Sequence, residues 1–470
     1  MNKHFREQFF LFILFFSFAF DSFGQYISNS KPNIFIYIAD DQNSWDYRIF
    51  GNSQVKTQNF DRLVKEGLSF SNAYTTQAVC APSRSQLFTG LFPMKNGCFA
   101  NHLPVRNVKD INDYMSEQGY EVVLAGKGHI KPNSVFNWTK YFPTNDDRLI
   151  PIKQVEDYIT NSQKPICIIF SSDLPHGPFP KSTDYNNKPL DYDPTAMNSS
   201  SKIAAYKAGY YQNIEDDNTQ LGRVLNMLET VSNLDESVFI YISDHGLKGK
   251  WSVRETGLKI PMVIRWPNVV PPNTTNDKLV SIVDILPTIV EVSGGKKIET
   301  LDGKSLIPIL QNRNISFRDY IFGIATRQNI QKCYVFPSRS VRNNRYKYVV
   351  NYNAKELLKE NLGNNKNINY FIERGANEFS NVPFEELYDL ELDPYEHTNL
   401  AQEKNFLPIK QKLASVLKDW MISQNDVLVQ HKMPIIKPTL HPLDRPSKWN
   451  NPKKIYQFTL SINDYIPSHY

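Results

Sequence analysis

The sequence predicts an α/β fold: a large domain on a mostly parallel sheet flanked by helices, followed by a smaller C-terminal subdomain with an antiparallel sheet. Three observations predict it. Short, continuous apolar runs recur along the N-terminal half of the chain, as strands buried on both faces do. Helical patterns lie between them, which is the alternation of a parallel sheet. Beyond residue 311 the texture changes to half-exposed alternating segments separated by turns.

The apolar runs are "NIFIYIADD" (Asn33–Asp41), "YEVVLAGKGH" (Tyr120–His129), "ICIIFSSDLPH" (Ile166–His176) and "SVFIYISDHG" (Ser237–Gly246). Between them "NFDRLVKEG", "DINDYMSEQG" and the long segment from Lys202 have helical patterns. Each run ends in chemically useful residues: Asp40 and Asp41, Lys127 and His129, His176, Asp244 and His245. Charges placed at random would fall at strand starts as often. Parallel sheets bind ligands at the carboxyl ends of their strands, so this placement predicts one convergent polar site.

The ends of the chain bound its location. Lys3 and Arg6 precede the apolar run Phe9–Phe20, and "DSFGQ" follows. This is the form of a secretory signal peptide, residues 1–24, too short for a comfortable membrane span. The expected mature protein is soluble, periplasmic or secreted, with no membrane span. It comprises a catalytic α/β domain over 25–311, a C-terminal α+β subdomain over 312–425 and an extended tail over 426–470. A hydrophobic content of 41% supports an ordinary folded core. The net charge of +5 fits a solvated surface, and no basic–aromatic cluster points to nucleic acid. Four cysteines, Cys80, Cys98, Cys167 and Cys333, show neither zinc spacing nor a dense disulfide framework. One pair can still bridge in an oxidising compartment, and the spacing leaves open which.

Asp40, Asp41 and Asp244 brought together would repel and raise one another's pKa. A hard divalent cation with oxygen ligands resolves this, with Ca2+ the default. For an isolated Asp-Asp pair a helix cap or Asx turn is the better reading. A second acidic strand end, "SDHG", favours the metal.

The stretch "TTQAVCAPSRSQLFTG" (Thr75–Gly90) has the form C-x-P-S-R with T-G five residues beyond the arginine. It resembles the sulfatase family, within the alkaline-phosphatase-like superfamily. The resemblance covers nearly all the mature chain: "PNIFIYIADD", "GKGH", "LPHGPF", "SDHG", "GKWSVRETGLKIPMVIRWP", "DGKSLIPIL" and "ELYDLELDPYEHTNL" are similar to family segments. "CAPSRSQLFTGLFPMKNG" and "FPSRSVRNNRYKYVVNY" look closest to heparan N-sulfoglucosamine sulfohydrolase and related bacterial glycan sulfatases.

The resemblance implies that a maturation enzyme, the formylglycine-generating partner, converts Cys80 to 3-oxoalanine (formylglycine), whose hydrate is the nucleophile. It implies a metal site of Asp40, Asp41, Cys80, Asp244 and His245. Arg84, Lys127 and Lys250 would neutralise the sulfate, a role strongest in the transition state. His176, helped by Lys250, would protonate the leaving oxygen or nitrogen, and His129 would take a proton from the second hydroxyl. His102, Arg106 and Arg339 are expected in the substrate pocket. The implied substrate is a sulfated polysaccharide such as ulvan or a heparan-type glycan, cleaved at a sulfate ester or sulfamate. Taken singly, Lys127, His129, His176 and Lys250 read as solvated or turn residues, and only their joint spacing overturns that. One departure stands out: many relatives carry asparagine where His245 stands. Imidazole suits Mn2+ better than Ca2+, with Mg2+ a further alternative. Histidine here also occurs in relatives cleaving phosphonate and phosphate esters, the nearest rival activity. A non-catalytic glycan-binding relative is the rival from another class.

Overall fold

In the run Ile34–Asp40 every residue is buried, which only a strand covered on both faces requires. Its odd and even residues serve two different cores. The computed structural model describes residues 31–430, apart from 102, 189, 196–203, 233, 314, 330–333 and 353–382, with the short paired segments 435–436 and 465–466 beyond. The expected signal peptide and most of the expected tail lie outside the described residues.

The strands in chain order are β1 Ile34–Asp40, β2 Leu68–Phe70, β3 Ala73–Tyr74, β4 Glu121–Gly126, β5 Lys140–Phe142, β6 Ile166–Pro175, β7 Val238–Ser243, β8 Lys259–Ile260, β9 Met262–Arg265, β10 Thr274–Asn276, β11 Val280–Ser281, β12 Ile321–Asn329, β13 Tyr334–Arg342, β14 Tyr346–Asn351 and β15 Glu385–Asp389. The main sheet has the order β10-β2-β9-β7-β1-β6-β4-β5. From β7 to β5 all neighbours are parallel, and β9 alone runs against both β7 and β2. The sheet is therefore mostly parallel, as the apolar runs predict.

Helices cover both faces. On one side Ile34, Ile36 and Ile38 pack with α2 (Cys80–Thr89), α3 (Ile111–Glu117) and α6 (Ile285–Val292). On the other side Phe35, Tyr37 and Ala39 pack with α1 (Gln58–Glu66), α4 (Ile152–Asn161) and α5 (Ala204–Val231). Each such buried aliphatic or aromatic side chain contributes about 1.5–3 kcal/mol.

Strands β12 to β15 form a four-stranded antiparallel sheet. Helix α7 (Leu407–Ser423) backs it: Leu413, Leu417, Trp420 and Met421 share a core with Ile324, Val341, Tyr348 and Leu387. Trp420 stacks on Phe322 with ring centroids 4.4 Å apart. Here the structure corrects one expectation. Arg339 is not a pocket residue: it is fully buried on β13, its Nε and Nη2 on the Asp426 carboxylate and its Nη1 on the Ala325 and Ser338 carbonyls. A guanidinium so committed has nothing to offer a substrate.

A buried ionic network joins this sheet to the short helix Glu255–Leu258 that leads into β8. The Glu255 carboxylate takes Arg342 at 2.7 Å and Lys347 at 3.1 Å, and Lys347 also reaches Glu396 at 2.9 Å. Burial opposes ionisation of Glu255, but Arg342 and Lys347 outweigh it and hold the carboxyl at about 2, below its usual 4.5. A depressed folded value stabilises above the unfolded pKa and loses that contribution as pH falls. The advantage of the parent over Glu255→Gln in thermal unfolding should therefore be a few kcal/mol near neutrality, on the order of the pKa shift. It should shrink between pH 4.5 and about 2. Cys80, Cys98 and Cys167 are free and buried, so among the described residues no two cysteines are bridged. Cys333 lies outside them.

Candidate active site

Register sets the site. Ala39 of β1 stands level with Ser243 of β7, so Asp40 and Asp244 leave the sheet side by side. A bulge between Ile38 and Asp40 lets β6 run on toward Asp173 and His176. Gly126 ends β4 with a φ of 110°, and a Cβ there would sit 2.0 Å from the Ser171 carbonyl oxygen. Only glycine allows this turn, which delivers Lys127. Asp41 adopts a left-handed φ of 68°, and its N–H donates to Asp244 Oδ1 at 3.0 Å.

Cys80 is the first residue of α2, after extended Val79, with Pro82 in the first turn where its missing N–H costs nothing. All ten residues of this helix are buried. The cysteine is thus carried by a rigid core element rather than a surface loop. Its Sγ lies 3.4 Å from His245 Nε2, 3.6 Å from Lys250 Nζ and 3.9 Å from Asp41 Oδ1. Burial above all, with Asp40 and Asp41 adding to it, pushes the thiol well above its ordinary range against the pull of Lys250.

Around it the charges interlock. Arg84, one turn on from Cys80, is fully buried: Nε donates to Asp244 Oδ2 at 3.2 Å, Nη2 faces Asp40 Oδ1 at 3.6 Å and Nη1 reaches Ser171 Oγ. Lys127 pairs with Asp40 and, at 3.0 Å, with Asp173. Lys250 donates to both oxygens of Asp41, at 2.9 and 2.8 Å. Burial opposes ionisation of Asp40, but Lys127, Arg84, His176 and Lys250 hold its carboxyl well below the usual range. Asp244 is raised, chiefly by burial, with Asp40 adding to it and His245 opposing. One crowded carboxylate keeps its charge at another's expense.

The metal expectation can be tested on this geometry. Asp40, Cys80 and Asp244 form one ligand cluster and Asp41, Cys80 and His245 another, each with ligand atoms within 4.8 Å. Asp40 Oδ1 is buried without a hydrogen-bond partner. His245 Nδ1 lies 3.2 Å from the Gly246 carbonyl, so it donates there, leaving Nε2 facing Asp41 Oδ1 at 3.1 Å. Two lone pairs at that distance call for a proton or a cation between them. The donor set fits a divalent cation.

His176 is partly exposed, with Nδ1 2.6 Å from the Gly177 carbonyl and Nε2 3.7 Å from Asp41 Oδ2. His129 is half-buried at a φ of 46°, two residues beyond Lys127. Arg106 is exposed, and its Nη1 donates to the Met94 and Lys95 carbonyls. His102 lies outside the described residues. Sequence reasoning passed over Asp173 and Arg148. Asp173 bridges Lys127 to Arg148 Nε at 2.7 Å, and Arg148 Nη2 donates to the His176 carbonyl at 2.8 Å. The signal available was an acidic residue three positions before His176 at the same strand end.

A family model described as "Sulfatase" matches residues 32–295. The chain belongs to the sulfatase family. A second model, "N-sulphoglucosamine sulphohydrolase, C-terminal", matches residues 243–368. This sulfatase is 43% identical over 454 residues to an ulvan-active sulfatase of Formosa agariphila, an alignment spanning 93% of this chain and 90% of that one. Two solved structures share its fold. One, a protein in complex with its substrate D-glucosamine-2-N,6-O-disulfate, has a TM-score of 0.67 at 18% identity, covering 84% of this chain and 99% of the other. The second, a phosphonate monoester hydrolase of Agrobacterium radiobacter, has a TM-score of 0.66 at 20% identity, covering 85% and 96%. The sulfatase is thus a sulfuric ester hydrolase with the alkaline-phosphatase-like fold that the resemblance implies. Among its described residues no helix is long and apolar enough to cross a membrane.

Proposed function

We propose that this sulfatase is exported and removes sulfate groups from a sulfated polysaccharide or its oligosaccharides, ulvan foremost, with Cys80 converted to formylglycine. The observation that carries the reading is the position of Cys80, sealed among His245, Lys250 and Asp41 with its thiol held protonated. A cysteine acting as itself needs the thiolate, which this environment opposes. Oxidised to an aldehyde, the side chain has no thiol to ionise. The basic and apolar N-terminal run supports export to the periplasm or beyond. The ulvan activity of the Formosa relative and the sulfated glucosamine bound to a structural neighbour support a saccharide substrate, with heparan-type glycans second.

Asp40, Asp41, Asp244 and His245, with residue 80, would hold the cation: Ca2+, or Mg2+, by its carboxylates and Mn2+ by the presence of His245. When bound, such an ion supplies charge neutralisation and polarises oxygen at the reacting centre. A hydrated aldehyde at residue 80 would supply a hydroxyl nucleophile for sulfur and a second hydroxyl whose deprotonation would release sulfate. The remaining work falls to the chain's own side chains. Lys127 and Lys250, mostly buried cations beside the cysteine, stabilise negative oxygens where water screens them least. His176 donates through Nδ1 to a carbonyl, which frees Nε2 to carry the proton for the leaving group. His129, on the Lys127 loop, takes the proton that resets the aldehyde. Arg84 has no exposed surface, so it serves by holding Asp40 and Asp244 rather than by touching substrate.

His245 and the Agrobacterium neighbour favour one rival, a phosphonate or phosphate ester hydrolase. Parallel kinetics on ulvan oligosaccharides, heparin-type disaccharides, an aryl sulfate and phenylphosphonate separate the two. The expected result is the highest kcat/KM on a sulfated saccharide. A preference for the phosphonate overturns the reading.

A further inference from the structure

The ionic network around Glu255 carries one cation too many. Arg342 and Lys347 are matched by Glu255 and Glu396. Lys259, on β8, feels Glu255 and Arg342 but has neither hydrogen-bond nor ion-pair partner among the described residues. Its side chain is half-buried, and desolvation, with Arg342 adding to it, pulls the ammonium below its ordinary range against the pull of Glu255. A half-buried ammonium is screened less than one in open water, so a partner brought to it is held more firmly. A cationic group left so is a place for an anion to enter.

The space is there. Lys259 and Arg342 line a cavity of about 360 Å³, walled by Trp45, Phe50 and Tyr395 with Asn344 at its side. Glu255 also lines it, but its carboxylate is taken up by Arg342 and Lys347. Its volume falls in the range of small-molecule sites. Flat aromatic faces cover the apolar face of a ring while the polar groups fix its orientation. None of the residues around Cys80 lines this cavity. The two places are nonetheless served by the same two chain segments: Trp45 follows Asp41 by four residues, and Lys259 follows Lys250 by nine.

We propose that this cavity is a second glycan subsite, which binds an anionic saccharide unit, a uronate or a sulfated sugar, with Lys259 as its anion anchor. It rests on the reading of the enzyme as a glycan sulfatase, and it assigns this cavity to another unit of the chain being desulfated.

The test uses the full chain carrying Cys80→Ala and calorimetric titration with an ulvan oligosaccharide of about six sugars. Adding Lys259→Met should weaken binding about tenfold, a loss of about 1.4 kcal/mol, and Lys259→Arg should restore it. Tm of the Lys259→Met protein should not fall below that of its parent, because the lysine makes no hydrogen bond or ion pair among the described residues. Equal affinity with Lys259→Met, or no binding to begin with, overturns the proposal. So does a fall in Tm, which would make the lysine a structural partner. Repeating the titration with a desulfated oligosaccharide that keeps its uronates separates the two anions. If Lys259 still matters, it reads carboxylate; if not, it reads sulfate. Failure of the unaltered enzyme to desulfate any saccharide removes the function reading instead, which this binding measurement does not share.

Discussion

Cys80→Ala is expected to lower kcat on a sulfated oligosaccharide by about four orders of magnitude or more, to background, while Tm stays within a few degrees of the parent. The reason lies in what the side chain touches. Its sulfur meets His245, Lys250 and Asp41 and is sealed from solvent. It bonds to no residue that the fold depends on, and the helix that carries it is fixed by its other buried residues, such as Leu87 and Phe88. Loss of the reacting atom therefore separates cleanly from loss of structure. Circular dichroism and thermal unfolding read the second, and sulfate release reads the first. Retained turnover would remove the nucleophile assignment.

Arg84→Met should produce the opposite pattern, with stability and activity lost together. Arg84 fills a fully buried position between Asp40 and Asp244, with Ser171 at its third nitrogen. Methionine approximates its stem but leaves two buried carboxylates without their common cation. Breaking a buried pair from one side costs about 3–5 kcal/mol, which should appear as a Tm lowered by several degrees. Turnover should fall by at least about a hundredfold, because the carboxylates that orient the site repel one another once unclamped. An unchanged Tm would mean that Arg84 does not hold them.

Much of this was legible before any coordinates. The burial of strand runs on both faces follows from their composition, and the carboxyl-end rule then places Asp40, Asp41, Lys127, His176 and Asp244 together without any distance being known. The local signals around Cys80 are also one-dimensional, because Pro82 and Arg84 lie in the same helix. What escaped is what depends on pairing across long separations. Arg339 looked like a polar residue on a half-exposed strand, yet its partner, Asp426, lies 87 residues away and buries it. Asp173 is unremarked in "SSDLPH" until the parallel register of β4 and β6 lays it beside Lys127, and Arg148 arrives from a loop with a left-handed φ of 69° that no pattern announces. The antiparallel insertion of β9 into an otherwise parallel region is likewise a matter of connection, since "MVIR" reads the same in either direction of pairing.

Turnover by this enzyme depends most on the chemical state of residue 80. Peptide mass spectrometry on active protein, produced alongside a competent maturation system, reads that state directly. The expected spectrum shows the peptide spanning Thr75–Gly90 with an aldehyde, or its hydrate, in place of the thiol. An intact cysteine there, in a preparation that still releases sulfate, contradicts the account.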